Sequence, residues 1–219
     1  MSVAVKRSIK IPHYTLGEEI FNAISHGIGG ALGIAALVLM LLRAKTPMAV
    51  VTTAIFGGSM VILYVMSCVY HALSANLTRG KKVLRVLDHC NVFLLVAGTY
   101  IPVSLIGVGG ALGWVLFGVV LTFCTLGIVF SAIDVDRYVV VSVICHLVSG
   151  WSILLGLPQL TASVGLAGVF NMIAGGVMYT VGAILYGAGH KLRYMHCLFH
   201  VFCLAGTFFH FWAIYAYLL

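Results

Sequence analysis

Seven long apolar stretches succeed one another along this chain, separated by short polar or glycine-bearing breaks. They fall at roughly 20–42, 49–73, 86–107, 112–133, 138–158, 165–187 and 195–218, and each reaches the about 20 residues an α-helix needs to cross bilayer hydrocarbon. Backbone amides in lipid must be satisfied within the segment, so the pattern predicts helices and not open strands. The predicted fold is all-α: a seven-transmembrane helix bundle forming a single integral domain over 1–219. Thr15-Leu16-Gly17-Glu18 has the spacing of a capping box, which starts the first helix ahead of its apolar run. Gly29 and Gly33 lie one turn apart within that run, where small residues let a second helix approach closely.

Composition agrees with the pattern. Hydrophobic residues make up 62% of the chain and charged residues 8%, with a mean hydropathy of +1.14; these values exclude an ordinary soluble domain. The start of the chain, with Lys6, Arg7 and Lys10, lacks the apolar core of a cleaved signal peptide. Cys68, Cys90, Cys124, Cys145, Cys197 and Cys203 contain no CxxC pair and read as small buried residues, not as a disulfide framework. The basic residues set an orientation. With the N-terminus cytoplasmic, the inner segments carry Lys6, Arg7, Lys10, Arg79, Lys81, Lys82, Arg85, Arg137, Lys191 and Arg193, against Arg43 and Lys45 outside, an asymmetry that follows the positive-inside rule. An odd number of spans then puts the C-terminus outside. Topology accounts for the net charge of +7, and nucleic acid is not an expected partner.

That orientation brings four unusual residues to one depth. His71 falls at the inner end of span two, Asp88 at the inner end of span three, and His196 and His200 in the first turns of span seven. Ionisable side chains inside a membrane point to function, and the i, i+4 spacing of His196 and His200 stacks both rings on one helix face. Three neutral imidazoles suffice as the protein shell of a catalytic zinc, which keeps a fourth position for water or substrate. Copper, iron and nickel also accept imidazole. Asp88 then has the chemistry of a base toward a zinc-activated water, or of a helix N-cap for span three. Ser67, one turn before His71, is placed to hold an imidazole or to meet a developing oxyanion.

A second polar stripe, Glu19, Asn22, Ser25 and His26, occupies i, i+3, i+6 and i+7 of span one. Facing lipid it would be strongly unfavourable, so it is expected to face the bundle as support for the site or as an interhelical lock. Glu19 is alternatively a second carboxylate at the site. His146 is a further candidate in span five, and His89 a neighbour of the site. His210 lies ten residues beyond His200, about 15 Å along a helix, and reads as an interhelical hydrogen-bonding residue. His13 and His190 are expected at the inner surface and Asp134 and Asp136 in a solvated turn. A bis-histidine haem is disfavoured, because an i, i+4 pair at one end of a span does not present two facing ligands at mid-membrane.

Glu19-x-x-Asn22-x-x-Ser25-His26, Ser67-x-x-x-His71, the run from Asp88-His89-Cys90-Asn91 to Gly98-Thr99-Tyr100-Ile101-Pro102, and His196-x-x-x-His200 with His210-Phe211 beyond it together carry a resemblance. Across essentially all seven spans the chain resembles the hemolysin III branch of the progestin and adiponectin receptor superfamily. The resemblance implies that His71, His196 and His200 bind zinc and that Asp88 holds a zinc water. It implies a bacterial inner-membrane protein acting in membrane-fluidity homeostasis, with kinship to metal-dependent membrane hydrolases. A membrane lipid is then the expected substrate or ligand. A non-enzymatic receptor or fluidity sensor with structural zinc, and a pore-forming hemolysin, are the alternatives. Against a pore, the outer halves of the spans are nearly devoid of charge.

Overall fold

The computed structural model describes residues 11–74, 76–189 and 191–219; Lys6, Arg7, Lys10 and His190 lie outside them. The described chain is helical throughout. Helix α1 spans Leu16–Arg43, α2 Pro47–Ala72, α3 Thr78–Pro102, α4 Gly110–Asp134, α5 Val139–Trp151, α6 Leu157–Ala188 and α7 Met195–Ala213. Wider π turns extend α3 over Val103–Val108 and α7 over Ile214–Leu218. Six stretches are long and apolar enough to cross a membrane: Leu16–Arg43, Pro47–Ala72, Thr78–Val108, Gly110–Asp134, Val139–Ala188 and Met195–Leu218.

Local chemistry starts and stops these helices as physical rules require. At α1 the predicted capping box is present: Glu18 N donates to Thr15 Oγ1 at 3.3 Å, and Thr15 N donates to Glu18 Oε2 at 2.8 Å. At α2, Thr46 Oγ1 accepts from Ala49 N at 3.2 Å and Pro47 takes the first helical position, where its missing N–H is harmless. Between α3 and α4 the chain reverses at Gly109 and Gly110, whose φ angles of 68° and 56° favour glycine.

Helix α1 shows how the bundle sorts its surfaces. Ile20, Ile24, Ile28 and Leu32 form an exposed stripe, while Asn22, His26, Gly29, Gly33 and Met40 are buried. The predicted close approach is there: a Cβ added at Gly29 would lie 3.0 Å from Tyr64 Cγ of α2. The core is built around Phe56, Met60, Tyr64, Phe93, Tyr100, Leu116, Leu160 and Ile214.

Two boundaries differ from expectation. Helix α3 begins at Thr78, eight residues before the expected start at 86, so Lys81, Lys82 and Arg85 are helical and not loop charges. Asp88 accordingly sits ten residues inside α3 and does not cap it; Leu77 occupies the N-cap. The second difference concerns the stretch Val139–Ala188, 50 residues in length. As one straight helix it would be about 75 Å long, far beyond the roughly 30 Å of hydrocarbon. It is broken by a 3₁₀ turn over Ser152–Gly156 and by a non-helical Gly165 at φ 68°, ψ 176°. It also doubles back. Trp151 Nε1 donates to Thr180 Oγ1 at 3.1 Å across 29 residues, which a straight helix would hold about 43 Å apart.

Helices α1 and α7 run parallel. At one end Glu18 Oε1 accepts from Tyr194 N at 2.7 Å; at the other the Arg43 guanidinium lies 4.9 Å from the Tyr215 ring centroid. All six cysteines are free thiols.

Candidate metal centre

The C-terminal turn of α2, the first turns of α7 and the start of α1 meet at one end of the bundle, and three histidines meet with them. Among the described residues, His71, His196 and His200 form a buried group whose ligand nitrogens all lie within 4.8 Å of one another. Their ring centroids are 5.4 Å (His71–His196), 4.9 Å (His71–His200) and 4.8 Å (His196–His200) apart. His196 Nε2 and His200 Nε2 are separated by 3.2 Å; two nitrogens at tetrahedral positions with Zn–N bonds of about 2.0–2.1 Å lie about 3.3–3.4 Å apart.

His71 is prepared for the same role from behind. Its Nδ1 lies 2.6 Å from Glu19 Oε2, while its Nε2 is buried with no hydrogen-bond partner. A carboxylate behind one ring nitrogen and a free lone pair on the other is the arrangement of a supported metal-binding histidine. Glu19 is held in turn by Lys81 Nζ, 2.5 Å from Oε1. The triad could therefore hold a metal ion, and its all-imidazole donor set suits zinc among others.

The rest of the α1 stripe divides. His26 stacks on His200, with centroids 3.6 Å apart and planes at 16°, and Asn22, one helical turn before His26, is fully buried. Ser25 Oγ instead donates to Asn22 O of its own helix at 3.1 Å. Glu18 pins the backbone of Tyr194, which takes a left-handed conformation at φ 62° just ahead of α7. From the segment before α1, Tyr14 stacks on His196 with centroids 4.9 Å apart and planes at 20°. Burial holds the Tyr14 phenol above its ordinary range, so it stays neutral there.

Two cavities meet at His196. The first, of about 110 Å³, is lined from all seven helices; its walls are mostly apolar, including Leu63, Phe93, Val96, Val143 and Phe199, and Ser67, Asp88, His196 and His200 line it too. The second, of about 620 Å³, is more polar, with Tyr14, Glu18, Arg85, Asp136, Lys191 and Arg193 in its lining. Asp88, His89, Tyr186 and His196 belong to both. Asp88 and a ligand histidine thus stand at the boundary between an apolar and a polar space.

Other expectations resolve individually. His146 lines the apolar cavity between Phe93 and Tyr179, with centroids 6.1 and 6.2 Å away, and does not join the triad. His210 Nε2 lies 3.2 Å from Met172 O of α6, the interhelical contact expected of it. His13 is exposed, and His89 neighbours the site against Tyr186 at 5.7 Å. Asp134 forms a turn, accepting from Asp136 N and Arg137 N at 3.1 and 3.0 Å. Asp136 is not simply solvated: it accepts from Arg85 Nη2 at 2.7 Å. Arg85 and Lys81, both buried, are the participants that pattern reading missed. Extending helical periodicity below the apolar run finds them, since Lys81, Arg85 and Asp88 stand at i, i+4 and i+7 on one face.

Bilayer-length helices closing on a buried histidine triad define a polytopic helical membrane protein with a candidate metal centre at one end. The chain belongs to the haemolysin-III-related family, whose profile matches residues 14–211 and so takes in every site residue named above. It is 37% identical over 205 residues to hemolysin-3 of Bacillus cereus, covering 92% of each chain. It is likewise 37% identical over 197 residues to a hemolysin-3 homolog of Bacillus subtilis (strain 168), covering 89% of this chain and 91% of that one. A more distant relative is the monocyte to macrophage differentiation factor of Homo sapiens, 23% identical over 175 residues, 77% of this chain and 71% of the other. These relatives support the wider progestin and adiponectin receptor superfamily.

Proposed function

We propose that this protein is a zinc-dependent hydrolase of a membrane lipid amide or ester, serving lipid and fluidity homeostasis in the bacterial inner membrane. The observation that carries this reading is that Asp88 and the triad's His196 line both an apolar and a polar cavity, with His200 and Ser67 on the apolar one. His71, His196 and His200 would hold the zinc. Bound there, zinc would act as a Lewis acid toward a carbonyl and lower the pKa of water at its open position to about 7.

The protein's own groups supply the rest. The apolar cavity takes an acyl chain and excludes bulk water, while the polar cavity takes the headgroup, so the scissile bond is oriented at their boundary. Asp88 accepts the proton of the attacking water and returns it to the leaving amine or alkoxide. Ser67 donates to the carbonyl oxygen as charge develops on it. The reading includes seven crossings, with the folded-back stretch counted twice. Parallel α1 and α7 support an odd count, and the basic residues support a cytoplasmic N-terminus, an outer C-terminus and a site near the cytoplasmic face.

A second reading is a sensor whose zinc only clamps α2 to α7. The Tyr14 ring stacked over His196 favours it, because that ring covers a ligand from the side of the polar cavity. Purified protein in detergent separates the two. The hydrolase is expected to hold about one zinc per chain, to lose it in His196→Ala plus His200→Ala, and to release fatty acid from a mixed-lipid substrate. Asp88→Asn is expected to keep the zinc and lose about 10²–10⁴-fold in rate. Zinc without fatty-acid release by the wild type selects the sensor. Dye leakage from liposomes with the site mutated overturns both in favour of a pore.

A further inference from the structure

We propose that Lys81 is a positioning residue for the histidine centre: through Glu19 it fixes His71 as the Nδ1–H tautomer, so that Nε2 faces the other two histidines with a free lone pair. The role rests on the reading of the triad as a metal site. It joins three helices in one line, from Lys81 on α3 to Glu19 on α1 to His71 on α2.

The geometry of each step is specific. Lys81 Nζ lies 2.5 Å from Glu19 Oε1, and Glu19 Oε2 lies 2.6 Å from His71 Nδ1. Both carboxylate oxygens are therefore engaged, which removes Glu19 as a competing ligand and leaves it one task at the ring, accepting the Nδ1 proton. An ionised carboxylate has no proton to offer, so Nδ1 must be the donor and Nε2 the unprotonated atom, in agreement with the unpartnered, buried Nε2. By holding Oε1, Lys81 Nζ fixes the carboxylate so that Oε2 stays turned to Nδ1.

A purely structural role for Lys81 has one observation behind it. Nζ also donates to Leu73 O, at 3.0 Å, and so closes the C-terminus of α2 two residues after His71. The Tyr70 ring lies 5.5 Å from the same ammonium. Capping alone does not explain the burial, because Lys81 is only 2% exposed and a lysine can cap a helix from the surface with its head group in water. Burying a lysine head group is favourable only where a counter-charge meets it, and that counter-charge is the residue holding His71.

The test compares wild type with Lys81→Met, Glu19→Gln and the double variant, which removes both charges together and so avoids an orphan buried charge. Imidazole ¹⁵N spectra of the zinc-free protein in detergent, with the His71 signals assigned by His71→Ala, report the tautomer. Zinc competition reports affinity. Wild type is expected to show His71 as the Nδ1–H form alone. Lys81→Met and the double variant are expected to show mixed tautomers and a 10–100-fold weaker zinc affinity, and the losses from the two single changes are expected not to multiply. A His71 that keeps the single Nδ1–H form in Lys81→Met overturns the proposal and leaves Lys81 as a cap for α2. A tautomer that shifts as expected in a protein that binds no zinc upholds the role of Lys81 and overturns the metal reading instead.

Discussion

The backbone of Tyr194 sets where His196 begins. It is the one non-glycine residue with positive φ among the described residues, a conformation that costs about 1–3 kcal/mol when surrounding structure must impose it. Two backbone hydrogen bonds impose it here: Tyr194 N donates to Glu18 Oε1 at 2.7 Å, and Tyr194 O accepts from Leu198 N at 3.0 Å as the first bond of α7. The ring itself is 54% exposed, so its loss removes little packing. Tyr194→Gly is therefore expected to keep both the thermal midpoint and the zinc affinity. Tyr194→Val, which is β-branched and resists this region, is expected to lower stability by about 1–3 kcal/mol and to weaken zinc binding because both α7 ligands follow it. Thermal unfolding in detergent and zinc competition measure the two effects. A valine variant as stable as the glycine variant would show that the turn relaxes freely and positions nothing.

At the scale of elements, the 50-residue stretch depends on how its break is made. Gly165 has φ 68° and ψ 176°, a region essentially restricted to glycine, and a Cβ there would meet no atom within 4 Å. The cost of Gly165→Ala is thus backbone strain alone, expected at about 1–3 kcal/mol. Gly118 of α4 is equally open to a Cβ but lies inside a regular helix, so Gly118→Ala is expected to be neutral or to stabilise by up to about 1 kcal/mol. Equal responses of the two variants in unfolding midpoints would refute the strain argument. The same elements explain what was legible in the sequence. The capping box and the Gly29–Gly33 face are local signals, complete within a few residues, and both read correctly. The lower half of α3 was missed because its charges resemble a loop when only hydrophobicity is followed. Helical periodicity carries Lys81 and Arg85 inward, and it also places Asp88 inside the helix and not at its cap. The Glu19–Lys81 and Arg85–Asp136 pairs span 62 and 51 residues; no local pattern encodes a pairing that exists only once three helices have packed. The histidine triad was legible across still larger separations for a different reason. Imidazoles are rare and unfavourable at membrane depth, so their shared depth limits where they can go, whereas lysines near a membrane edge are commonplace.

For the whole molecule, the direction of the last helix bears on the number of crossings. Six strictly alternating crossings would make the first and last helices antiparallel. The two ends of α1 instead meet the matching ends of the last stretch: Glu18 meets Tyr194, and Arg43 meets Tyr215. On the proposed reading, parallel first and last helices go with an odd number of crossings, and the folded-back stretch Val139–Ala188 would supply the additional one. Reporter fusions in a bacterial host test the count. Alkaline phosphatase fused after Leu219 is expected to be active and green fluorescent protein at the same place dark, while a fluorescent protein ahead of the N-terminus is bright. The charge distribution predicts the same sign independently, since Lys191, Arg193, Lys81, Lys82 and Arg85 gather at the triad end and Arg43 and Lys45 at the other. Two termini on one side would reduce the count to an even number, and a dark N-terminal fusion with a bright C-terminal one would invert the bundle. Inversion would move the histidine centre to the outer face, where a lipid substrate would be drawn from the outer leaflet.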